Sequence, residues 1–124
     1  MLRTVAMALF VSMPVVLTAQ DPLQTDGDKY KLVLQNDRVR VLEYRDKPGD
    51  KTQRHMHRDF VLHTLSAFKR RLVFGDGHVM ERSFVAGETL WMDAQSHIGE
   101  NIGTTETHVL LVELLEPRPA SATK

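Results

Sequence analysis

From Tyr30 to Glu116, no stretch of this chain has the length and 3.6-residue periodicity of a substantial helix. Apolar residues alternate with polar ones or run in short blocks, and each block stops at a turn signal. Tyr30–Leu34 stops at Asn36 and Asp37, and Arg38–Arg45 stops at the Pro48-Gly49 turn. Lys69–Phe74 runs into Gly75 and Gly77, and His78–Val85 into Ala86 and Gly87. Thr52–His57, Phe60–Leu65, Thr89–Met92, His97–Ile102 and Thr105–Leu115 complete about nine strands at the even spacing of an all-β sandwich or barrel. An open sheet of this size buries little core. Closing two sheets on each other hides the apolar faces and removes exposed edges. The expected fold class is therefore all-β, a single small closed sandwich.

The ends differ from this middle. Met1–Ala19 has the layout of a secretory signal peptide: Arg3, an apolar run broken by Pro14, and a small-residue cleavage site ending at Ala19. The run falls short of the ~20 apolar residues that span a bilayer, so no stable membrane anchor is expected. The mature protein is expected to be periplasmic or secreted. Residues 20–29 read as a flexible lead-in, 30–116 as the β domain, and the Pro-punctuated 117–124 as a disordered tail.

Composition narrows the chemistry. The 124 residues carry 16 Lys+Arg against 16 Asp+Glu, without the basic excess of a nucleic-acid binder. There is no cysteine, which excludes disulfides, thiolate metal sites, iron–sulfur clusters and cysteine nucleophiles. No nucleophile elbow, phosphate-binding loop or dinucleotide fingerprint occurs. Lys69, Arg70 and Arg71 read as a solvated strand end. Six histidines remain as the chemically informative residues.

His55 and His57 stand at i and i+2. On a strand they point to one face, because successive side chains alternate. Two imidazoles on one face can chelate one metal, and a stable site needs a third ligand from elsewhere. His97, opening another strand, is the best candidate. Gln53 shares the parity of His55 and His57 and is expected to line the same cavity. His78 reads as an exposed turn residue. Glu113, flanked by apolar residues, is either an outward-facing charge or a buried partner.

Around these histidines lie two spaced frames. Gly49 stands six residues before His55, and Gly87 precedes His97 and Asn101 at a fixed spacing. The frames resemble the two motifs of the cupin family, G-(x5)-H-x-H-(x3–4)-E-(x6)-G and G-(x5)-P-x-G-(x1–2)-H-(x3)-N. The resemblance spans roughly Tyr30 to Glu116. It implies a cupin-type β-barrel or jelly roll with a metal inside, held by His55, His57 and His97. The family's glutamate falls at Val61, or at Leu62 with the longer spacing, so the chain resembles three-histidine cupins. The first motif's second glycine is replaced by Phe68, and the second motif's Pro and Gly by Asp93 and Gln95.

Three neutral imidazoles leave a divalent ion's full charge and open coordination positions. Imidazole suits iron, zinc, copper and nickel alike, and manganese is a further option. Three-histidine cupins with iron(II) are associated with dioxygenases acting on thiols, diketones or ring diols. The expected function is thus a metal-binding cupin-type protein, with iron(II)-dependent dioxygenation of a small chelating or anionic substrate as the leading enzymatic class. A zinc-type hydrolase or isomerase is the other enzymatic option, and a non-catalytic binding or interaction barrel is the alternative. His63 lies two residues beyond Val61 and shares its parity. If Val61 lines the cavity, His63 is the candidate catalytic group. A small-molecule ligand is the expected partner, and edge-strand pairing into a homodimer is implied by the resemblance.

Overall fold

The computed structural model describes residues 20–117 and Pro119. The signal-peptide segment and most of the tail lie outside the described residues. Nine strands follow one short helix, α1 (Pro22–Thr25). They are β1 (Tyr30–Gln35), β2 (Val39–Asp46), β3 (His55–His57), β4 (Phe60–Thr64), β5 (Phe68–Phe74), β6 (Val79–Phe84), β7 (Thr89–Met92), β8 (Gln95–Asn101) and β9 (Thr107–Leu114). All pairings are antiparallel. They build a five-stranded sheet in the order β1-β2-β9-β4-β7 and a four-stranded sheet in the order β3-β8-β5-β6.

Period-two alternation assigns the inner faces. Phe60, Leu62 and Thr64 of β4 are buried, as are Thr107, Val109, Leu111 and Glu113 of β9. Leu42 and Tyr44 of β2 join them, and Phe68 and Phe84 close the core from the other sheet. Facing apolar layers of this kind supply most of the stability of a small β domain. The two frame glycines, Gly49 and Gly87, have φ of +88° and +87°, a left-handed turn geometry that disfavours any side chain. Gly49 N–H also donates to Asn101 O at 2.9 Å, which ties the 49–50 turn to the end of β8.

Three local features depart from the sequence reading. First, β3 is shorter than Thr52–His57. Thr52 turns its backbone and hydroxyl onto Gly99, and Gln53 N–H donates to Asp26 Oδ1 at 3.0 Å instead of joining a ladder. Second, the lead-in is packed. Asp21 caps α1 by accepting from Leu23 N–H at 2.9 Å, Pro22 takes the first turn, and Asp26 is buried. Third, the Lys69–Arg71 run divides by parity. Arg71 pairs on the surface with Glu81 and Glu100, whereas Arg70 points inward to Asp46 and Thr107. Asp46 also accepts from Tyr44 OH and from Asn101 Nδ2. Burial pushes the Asp46 carboxyl up, but the Arg70 charge and hydrogen bonds from Tyr44, Arg70 and Thr107 together outweigh it and hold the group below its ordinary value. A Cβ at Gly99 would sit 2.5 Å from Arg70 Nη2, so the bare backbone there makes room for the guanidinium.

Edge strand β1 is buried only at Tyr30, and Leu32, Val33 and Leu34 are exposed. Among the described residues no helix is long and apolar enough to cross a membrane.

Leu42, on β2 beside the central strand β9, is fully enclosed. Leu42→Ala is expected to cost about 2–5 kcal/mol in urea unfolding, from lost transfer energy plus the cavity left behind. An unchanged unfolding midpoint would contradict the placement of the core.

Candidate metal centre

The register of β3 against β8 brings the histidines together. His55 is the direct partner of His97, and His57 of Gln95. Opposed residues of an antiparallel pair share a face, so the three imidazoles converge on the inside of the barrel. Their ring centroids are 4.8 Å apart for His55–His57, 4.8 Å for His55–His97 and 5.3 Å for His57–His97. One nitrogen from each lies within 4.8 Å of the others, and all three residues are buried.

Each ring is fixed from its Nδ1 side. His55 Nδ1 donates to Gln53 O at 2.9 Å, and His57 Nδ1 to Glu113 Oε1 at 2.7 Å. His97 Nδ1 donates to Gln95 Oε1 at 2.8 Å. The Gln95 amide orientation follows from its other end, because Nε2 donates to Asp93 O at 2.9 Å. A carbonyl, an ionised carboxylate and an amide oxygen only accept, so all three imidazoles carry their proton on Nδ1. In the neutral ring the Nε2 lone pair is thereby left for the centre of the cluster. Tyr30 OH stands over two of them, 3.2 Å from His55 Nε2 and 3.4 Å from His57 Nε2.

A second ring of groups supports the first. Glu113, with no solvent exposure, accepts from His57 through Oε1 and from Arg40 through Oε2 at 2.7 Å. Arg40 in turn donates to Asp21 Oδ2 at 2.6 Å. Burial pushes the Glu113 carboxyl up, but hydrogen bonds from His57 and Arg40 outweigh it and keep it low. Asp26 Oδ2 lies 3.5 Å from His55 Nδ1. Burial, with His57 close by, pushes the His55 imidazole down to about 4. His97 is lowered as well, by burial first and then by its two neighbours. Burial thus favours the neutral form of these two imidazoles, the form that can donate a lone pair to a metal.

The other sequence expectations fall out differently. Val61 faces outward, opposite Val112 and Trp91 on the neighbouring strands, because Phe60, Leu62 and Thr64 hold the inner parity of β4. His63 shares that outer face and bonds Thr89 Oγ1 at 2.9 Å, away from the cavity. It is not placed to act on a ligand inside the barrel. The inward residue at the family's glutamate position is Leu62, which lines the cavity. Gln53 is exposed, with its side chain on Thr25 O. It reaches the site only through its backbone carbonyl. The irregular backbone before His55 removes the alternation that placed it inside. His78 is exposed and stacks on Phe74.

Two supporting residues are hidden in the sequence, and for a third, Glu113, the sequence leaves a surface charge and a buried partner both open. Tyr30 gives no local signal beyond opening a strand. Asp26 sits before Gly27 and reads as a turn residue. Glu113 is reached by counting in twos from Val109 and Leu111, a parity masked by the intervening Leu110 and Val112.

A cavity of about 60 Å³ lies beside the cluster. Tyr30, His57, His97, Leu62, Phe60 and Arg70 are among its walls.

No family model matches the chain, and no curated protein does. Solved structures match the fold. A cupin domain from Bordetella pertussis superposes with a TM-score of 0.63 at 24% identity, over 68% of this chain and 90% of that one. This is a cupin fold. A double-stranded β-helix protein from Klebsiella pneumoniae matches with a TM-score of 0.57 at 19% identity, over 73% of this chain and 74% of its own. A polyketide cyclase from Streptomyces resistomycificus matches with a TM-score of 0.53 at 21% identity, over 73% of this chain and 66% of its own. In this cupin barrel the histidine cluster lies between the two sheets, where the motif resemblance anticipates it.

The imidazole environments set a pH dependence. In the folded chain His55 and His97 bind protons less readily than an ordinary imidazole, while the unfolded chain takes them up near 6.5. Unfolding therefore gains protons below that value. The metal-free protein is expected to lose stability as pH falls from about 6.5 towards about 4 and to level off above 6.5. Chemical denaturation across that range checks it. His97→Gln should give a shallower slope, and a flat profile for the unsubstituted chain would contradict neutral burial.

Proposed function

We propose that the chain binds one divalent transition metal through His55, His57 and His97. The observation that carries this is the shared tautomer. Three buried rings have their Nδ1 atoms committed to acceptors and their Nε2 lone pairs turned towards one another. Such an array is complementary to a cation that accepts lone pairs, and an all-imidazole donor set suits iron, zinc, copper or nickel. With Leu62 where a carboxylate would stand, no acidic side chain among the described residues joins the three-histidine group. The bound ion would keep its positive charge and open positions for an outside ligand.

When bound, the metal supplies Lewis acidity or, as iron(II), redox chemistry with dioxygen. The chain's own residues do the rest. Gln53 O, Glu113 and Gln95 aim the imidazoles, Tyr30 presents a hydroxyl beside two of them, and Phe60 and Leu62 give the cavity apolar walls. The favoured enzymatic reading is iron-dependent oxygenation of a small chelating substrate. Size restricts that substrate. A cavity of about 60 Å³ is under half the ~150 Å³ that holds benzene, which favours ligands of a few non-hydrogen atoms over ring diols. Charge restricts it less, because Arg70, the guanidinium among the cavity walls, is already paired with Asp46.

One observation favours a second, non-catalytic reading. With His63 on the outer face, the imidazoles lining the cavity belong to the proposed ligand set itself, which leaves none for proton transfer. The cupin fold is no guide here, since one structural neighbour is named a polyketide cyclase.

Elemental analysis of protein purified from its native compartment is expected to find close to one equivalent of a transition metal. His97→Ala should abolish it. Less than about a tenth of an equivalent in the unsubstituted protein, or unchanged content in the variant, would overturn the ligand set. Oxygen uptake by iron-loaded protein should appear with small thiols and not with ring diols. No uptake with any of them would leave metal binding without oxygenation.

A further inference from the structure

One short segment preceding the barrel reaches two of the three histidines from both sides. Asp21 holds Arg40, which holds Glu113, which holds His57 Nδ1, at successive distances of 2.6, 2.7 and 2.7 Å. Asp26 stands 3.5 Å from His55 Nδ1. It also accepts from Gln53 N–H, the residue whose carbonyl anchors His55. Tyr30, whose N–H donates to Asp26 O at 3.0 Å, puts its hydroxyl over the Nε2 atoms of both rings. His97 takes its support from Gln95, within its own strand. The capped turn of α1 sets the spacing of Asp21 and Asp26, and Pro22 packs it into the protein.

We propose that Asp21–Tyr30 is a strap belonging to the metal centre, whose two aspartates set the orientation of His57 and His55 and thereby the affinity for metal. The proposal rests on the metal reading above but makes a separate claim about which residues position the ligands. Asp21 and Asp26 are positioning residues that act through Arg40–Glu113 and through Gln53. A group that orients a ligating histidine commonly changes metal affinity 10–100-fold when removed. Asp28, in the same segment, is exposed and pairs with its neighbour Lys29 at 2.9 Å, which makes it the internal control.

The test compares the full chain with Asp21→Asn, Asp26→Asn and Asp28→Asn in two measurements. Long-range proton–nitrogen NMR of the metal-free protein reads each imidazole tautomer. Zinc titration against a competing chelator reads affinity. Asp21→Asn should disturb the Nδ1–H tautomer of His57, and Asp26→Asn that of His55, with His97 unchanged in both. Each should weaken zinc binding about tenfold. Asp28→Asn should stay within about twofold of the unsubstituted chain in affinity. If Asp26→Asn fails to fold, Asp21→Asn carries the test, since Asp21 is a third exposed. Unchanged tautomers and affinity in Asp21→Asn and Asp26→Asn would overturn the strap, as would equal disturbance of His97. If the unsubstituted chain binds no zinc, the metal reading falls, while the NMR still decides whether the strap orients His55 and His57.

Discussion

The whole site depends on the pairing of His55 with His97 across β3 and β8. β3 has only three residues, and its two inward positions are both histidines. A one-residue slip would turn both out to solvent and bring Met56 in. The register is held from outside the strand. Thr52 bonds Gly99, Lys51 bridges to Glu100, and Gly49 bonds Asn101, so three successive contacts along β8 fix where β3 begins. Asn101 closes this arrangement by donating to Asp46 and to Thr105 O, which couples the β8 turn to the opposite sheet.

Charge inside the barrel includes two compensated groups. Asp46 and Arg70 form one, supported by Tyr44, Asn101 and Thr107. Asp21, Arg40 and Glu113 form the other, ending on His57. A buried charge is tolerable only when paired and hydrogen-bonded, and both groups meet that condition. The three histidines differ in kind. They are buried beside one another with Nδ1 satisfied, and their inner nitrogens face a shared space with Tyr30 as neighbour. This is the feature on which the proposed ligand set rests.

The fold was legible because period-two alternation and turn residues are local signals. All nine strands fall within a few residues of where apolar blocks meet Gly, Pro, Asn or Asp. His55, His57 and His97 were legible for the same reason, combined with two spaced motifs. What could not be read was parity across irregular backbone. Gln53 lies one residue pair before His55, but the chain bends between them towards Asp26, so its side chain leaves the face. Val61 and His63 stood or fell together, and the bulk of Phe60 and Leu62 turned both outward. Arg70 looked like one of three equivalent charges until Asp46 claimed it. The contacts from Asp21, Asp26 and Tyr30 join residues about 20–30 positions apart, and no local pattern announces them.

The central claim is that three imidazole nitrogens converge on one metal. X-ray absorption of the zinc-loaded protein tests it most directly, because it counts the scatterers around the ion. The expected spectrum has three imidazole rings at the roughly 2.0–2.1 Å typical of zinc–nitrogen bonds, completed by a light-atom ligand. A shell of oxygen neighbours with one imidazole or none would contradict it.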